Sequence, residues 1–126
     1  MKLTPRVPPR RFDSDGSGRF PMSDTGSIEL AADEQVTFVA PSGSEYDVAR
    51  KAWGYYGTPS LNGRLPAKGL RPVLARNVSG RFYVCLVETG CEAEFSDYLA
   101  RAGMRVVGWL DDDGTLSRIE TALREG

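Results

Sequence analysis

The sequence predicts a small α+β domain of ferredoxin-like β-α-β-β-α-β order, with an extra C-terminal helix. Three observations predict it. Gln35–Ala40 alternates apolar and polar residues and is β-branched. Residues 92–102 carry Phe95, Leu99 and Ala102 on one helical face. Between them, two apolar runs flank the turn sequence Asn77-Val-Ser-Gly80. At 126 residues and 40 % apolar content, the chain fits one globular domain, assigned to residues 28–126.

The elements follow in order. Residues 1–27 are rich in Pro, Gly, Ser, Arg and Asp with no hydrophobic period, so they read as a disordered tail. Met22 is then a candidate for the true first residue. The strand 35–40 ends at Pro41-Ser-Gly43. Ser44 can cap a short helix, with Tyr46, Ala49 and Trp53 at helical spacing and Gly54 as its stop. Residues 54–69 form a long irregular loop, a length that leans toward function. Leu70–Arg76 is a strand, placed at a sheet edge because Pro72 cannot donate to a ladder. Arg81–Glu88 is apolar on both faces and is placed centrally. The helix 92–102 has acids in its first turn, Arg101 in its last and Gly103 as cap. Arg105–Leu110 is a strand. Asp111-Asp-Asp-Gly114 turns into a last helix, Thr115–Arg124.

The formal net charge is −1, but the charge is segregated. Between Asp47 and Glu88 there is no acid, while Arg50, Lys51, Arg64, Lys68, Arg71, Arg76 and Arg81 all fall there. At the centre of this basic run lies the segment 53–65. Trp53, Tyr55 and Tyr56 offer flat surface with polar tips. Thr58-Pro59-Ser60 is an extended turn with two hydroxyls. Asn62 offers a donor and an acceptor, and Arg64 a planar fork suited to carboxylate or phosphate. The expected site is therefore Arg64, Asn62, Tyr56, Ser60, Tyr55 and Trp53, recognising a small anionic or polar ligand or an acidic partner segment.

Other chemistries find less support. The chain has no histidine, which removes the commonest general base and the Ser-His-Asp and Cys-His constellations. A histidine-free enzyme acting on a sugar or nucleotide, with Tyr56 as acid/base and Arg64 as electrophile, is the second reading. A self-associating structural domain, with acidic and basic segments meeting between subunits, is the third. Nucleic-acid binding is disfavoured. The run Ser79-Gly-Arg-Phe-Tyr-Val84 lacks the basic lead residue and first aromatic of the RNA-recognition strand signature. Asp111-Asp-Asp-Gly114 could suggest calcium, but Trp109 would occupy the first ligand position. Ser42-Gly-Ser44 before a helix could hold an anion. No cofactor or metal is expected. No apolar stretch reaches membrane-spanning length, and two cysteines without a signal sequence predict a cytoplasmic protein with free thiols.

Overall fold

A computed structural model describes residues 1–57 and 59–126. Thr58, part of the hydroxyl-bearing turn expected above, lies outside the described residues. Strand outweighs helix, 46 % against 22 %, and the ferredoxin-like order is overturned. In chain order the elements are β1 (Lys2–Asp13), β2 (Pro21–Glu29), β3 (Gln35–Val39), β4 (Glu45–Lys51), β5 (Gly54–Gly57), α1 (Arg64–Ala67), β6 (Leu70–Asn77), β7 (Phe82–Glu88), α2 (Glu92–Ala102), β8 (Met104–Trp109) and α3 (Asp113–Glu125). The strands form three sheets, ordered β1-β2, β3-β4-β5 and β7-β6-β8. The chain divides into two compact units, Met1–Val36 with Ala49–Tyr56, and Thr37–Val48 with Gly57–Gly126.

In the first unit, the expected disordered tail is instead an antiparallel hairpin. Lys2 pairs with Glu29 at its open end and Asp13 with Pro21 at its turn. The register shifts between Pro5 and Arg10, where Pro8 and Pro9 cannot donate to the ladder. Local polar contacts stand in for an apolar core. Asp24 faces both Arg6 and Arg10, at 3.3 and 3.4 Å. Asp13 Oδ2 accepts from the Phe20 amide, and Asp15 Oδ1 accepts from the amide and hydroxyl of Ser17. Those bonds from Ser17 hold the Asp15 carboxyl at about 2. Composition alone cannot register such pairings.

The predicted helix over 44–53 is also overturned, since β4 is a strand. Its residues fit both periods, with Tyr46, Ala49 and Trp53 at helical spacing and Tyr46, Val48 and Arg50 in alternation. The turn 41–43 tips the balance. Gly43 takes a φ of 93°, and its amide donates to Ala40 O while the Ala40 amide donates to Ser44 O. That turn feeds a second strand, not a helix. As a strand residue Asp47 is buried, where it accepts from the Thr37 hydroxyl at 2.7 Å.

The second unit is built on β7-β6-β8. Here the expected strand positions are exchanged: β6 is central and β7 lies at the edge. Val73 and Ala75 are fully buried, and Pro72 is among the largest side chains that are. Pro72 sits in a central strand because its missing donor falls at the ladder's end. Its carbonyl accepts from Leu110, one residue beyond β8. The β6–β7 turn forms as its residues require. Asn77 Oδ1 accepts from the amides of Ser79 and Arg81, and Gly80 takes a φ of 87°.

Of the two longer helices, α2 starts and stops where the sequence places it, whereas α3 begins two residues before the expected Thr115 and ends one after Arg124. Gly103 ends α2 in the left-handed region at φ 66°, and the Asp112 side chain caps α3 by accepting from the Thr115 amide. Leu99 is the buried residue of α2. Phe95, on the same helix, meets Trp109 of β8 edge-on, with ring centroids 6.3 Å apart. Arg71 stacks on Trp109 at 4.1 Å and forms ion pairs with Asp111 and Glu92. Among the described residues no helix is long and apolar enough to cross a membrane.

Candidate functional site

The six expected site residues divide between the two units. Trp53, Tyr55 and Tyr56 belong to the first, and Ser60, Asn62 and Arg64 to the second. In the first, all three rings are exposed, and the Arg50 guanidinium lies 6.0 Å from the Tyr55 centroid. In the second, Ser60 organises the approach to α1. Its hydroxyl accepts from the Arg64 amide at 2.8 Å and its carbonyl from the Leu65 amide. Gly63 is needed there because an added Cβ would lie 2.5 Å from the Ser60 hydroxyl.

The two residues expected to meet an anion each meet a carboxylate of the protein. Arg64 Nη2 lies 3.5 Å from Asp47 Oδ2. Asn62 Nδ2 donates to Asp113 Oδ1 at 2.7 Å. Beside Asn62 is an open cavity of about 400 Å³, lined by Asp113, Leu116, Ser117 and Glu120. It holds two carboxylates and no cation, which makes it unsuited to an anion.

A larger cleft, about 530 Å³, lies elsewhere in the same unit. Three chain segments make it. The β3–β4 turn supplies Ser42, Gly43 and Ser44. The connection from α1 to β6 supplies Lys68 and Gly69. The end of β7 supplies Glu88. Main-chain bonds hold them together: the Glu45 amide donates to Lys68 O, and the Thr89 amide to Gly69 O. Gly69, at φ 85°, lets the backbone pass close to Ser44, whose Cβ would stand 3.4 Å from an added methyl.

The polar groups of the cleft are mutually engaged. Glu88 Oε1 accepts from the hydroxyls of both Ser42 and Ser44, the latter at 2.8 Å. Lys68 Nζ lies 3.5 Å from Glu45 Oε2. The two hydroxyl bonds, Ser42 first, hold the Glu88 carboxyl below its ordinary value of 4.5. A carboxylate lowered in this way contributes stability above its unfolded value and loses it as the pH falls through the folded one. The protection of the residue 42–44 amides, each exchange rate taken relative to its unfolded-chain rate, is therefore expected to fall as the pH drops below 4.5. Glu88→Gln should flatten that dependence; hydrogen exchange followed by NMR checks it.

Sequence reasoning noted the Ser42-Gly-Ser44 turn but set it before a helix. Glu88 and Lys68 stand far from it along the chain, and no local spacing joins them. The Asp111–Asp113 run is used in three separate ways, by Arg71, by the α3 cap and by Asn62. Among the described residues no cluster of potential metal ligands occurs. Both thiols are pushed up: Cys85 by burial, Cys91 by desolvation and then by Glu94, Glu88 and Glu92. No family model, curated protein or solved structure matches the chain.

Proposed function

We propose that the chain is a small binding protein. Its ligand is a small polar molecule that carries an anionic group beside hydroxyls, seated in the cleft of Ser42, Ser44, Lys68 and Glu88. The observation that carries this reading is the composition of that cleft. The Lys68 ammonium, the hydroxyls of Ser42, Ser44 and Thr89, and the carboxylates of Glu45 and Glu88 line about 530 Å³, with the glycines Gly43 and Gly69 leaving backbone accessible. The anion takes Lys68 in place of Glu45, and Glu88 with its two serines meets the hydroxyls. Catalysis has less support, because both thiols are shifted away from the reactive thiolate. This reading keeps the polar, anion-bearing ligand expected from the sequence but moves its seat from the 53–65 loop.

Glycerol 3-phosphate and glycerol make the test pair. NMR titration is expected to shift the amides of residues 42–45, 68–69 and 88–89 with the phosphate ester, and far less with glycerol. Lys68→Ala should weaken that response about tenfold, the loss of roughly 1.4 kcal/mol of contact. If organic acids, phosphate esters and amino acids at millimolar concentration all leave these amides unmoved, the binding role of the cleft is rejected.

A further inference from the structure

We propose that β7 pairs, antiparallel and about a two-fold axis, with β7 of a second copy of this chain. The backbone first shows which side of the strand is open. The Asn77 amide donates to Arg81 O and the Thr89 amide to Gly69 O. By alternation, Tyr83, Cys85 and Val87 spend their backbone groups on β6, and Phe82, Val84 and Leu86 turn theirs outward. Among the described residues no strand lies on that side. The stretch Phe82–Val87 contains no charge, proline or glycine, the devices with which open edges are ordinarily blunted. Phe82 and Val84 are 58 % and 62 % exposed. The opposite edge, β8, is interrupted by a register shift in its pairing with β6; β7 is not.

Charge selects a second copy as the occupant. One end of this sheet holds Arg81, just before β7, and the cross-strand neighbours Arg76 and Arg105. The other end holds Glu88 and, in the first turn of α2, Glu92 and Glu94. Antiparallel self-pairing sets each basic end beside an acidic one, whereas parallel pairing would set like against like. Parity narrows the register, since outward-facing residues must oppose outward-facing residues. Centring the outward-facing Phe82, Val84 and Leu86 on the axis sets Val84 against Val84 of the second copy and Phe82 against Leu86. Every side chain from Phe82 to Leu86 then has an apolar or aromatic neighbour across the interface.

Sedimentation velocity on the full chain is expected to show a concentration-dependent dimer that weakens several-fold in 1 M salt. Val84→Lys sets two like charges at the axis and should weaken the dimer at least tenfold while leaving the circular dichroism spectrum unchanged. A second measurement does not depend on that variant. Cys85 and Cys91 are both replaced by serine, and Val84→Cys is introduced. Diamide, which takes up the two protons and two electrons released, should then cross-link the dimer, since directly opposed Cα atoms about 5.5 Å apart suit a disulfide. Val78→Cys, in the exposed β6–β7 turn, should not cross-link. A wild-type chain that stays monomeric at several hundred micromolar overturns the proposal. So do equal cross-linking at positions 84 and 78, or growth into open-ended polymers.

Discussion

Leu65→Ala is expected to lower unfolding free energy by about 3 kcal/mol, within the roughly 2–5 kcal/mol range for buried leucine truncations. Leu65 is 1 % exposed and stands with Val73 and Pro72 as the largest fully buried side chains. It belongs to α1, a helix of four residues. A helix that short has no stability of its own and persists only through packing. The packing is against β6, the central strand, so truncation opens a cavity against the most buried part of the unit. The same turn carries Arg64 toward Asp47 and leads directly into Lys68 of the cleft. The variant should therefore show a lower urea midpoint and faster amide exchange at Lys68 and Gly69. Leu61→Ala, at a site 40 % exposed, should cost less than about 1 kcal/mol. Equal costs at the two positions would mean that α1 does not anchor the unit.

The parts of the fold legible in the sequence were those decided locally. The spacing of Phe95, Leu99 and Ala102 and the Gly103 stop each act within a few residues of where they stand. Strand order is decided at long range. Pro72 argued for an edge, but its absent donor falls where β8 has already ended. The two apolar faces of β7 argued for a central strand, yet β7 is the strand with an unpaired side. Between 44 and 53 two periods fitted equally, and the Gly43 turn with the Thr37–Asp47 bond decided for a strand. The candidate site divides in the same way. Ser60, Asn62 and Arg64 were picked out by residue type, but Asp113 and Asp47, the carboxylates they meet, are remote in sequence. Ser44, Lys68 and Glu88 come together only once β4, β6 and β7 are placed.

Arg71→Met should have the next largest effect, about 2 kcal/mol at neutral pH. The guanidinium fork reaches Asp111 through Nε at 2.8 Å and Nη2 at 3.3 Å, and Glu92 through Nη1 at 3.2 Å. It joins β6 to the start of α2 and to the corner between β8 and α3. The figure stays below that for a fully buried pair because the Arg71 side chain is 30 % exposed, although Asp111 is only 12 % exposed. Removing the cation leaves the Asp111 carboxylate nearly buried and uncompensated. Arg71→Lys should recover only part of the loss, since an ammonium keeps the charge but not the fork. Acid separates the contributions. Glu92 is held below its ordinary value first by backbone hydrogen bonding and then by Arg71. Its share of stability is present above that ordinary value and is lost as the pH falls through the lowered one. Urea midpoints of wild type and Arg71→Met should therefore converge between pH 7 and pH 3. Stacking of the guanidinium on Trp109, 4.1 Å away, does not titrate in that range. A difference that persisted undiminished at pH 3 would assign the stabilisation to the ring contact and remove Glu92 from the account.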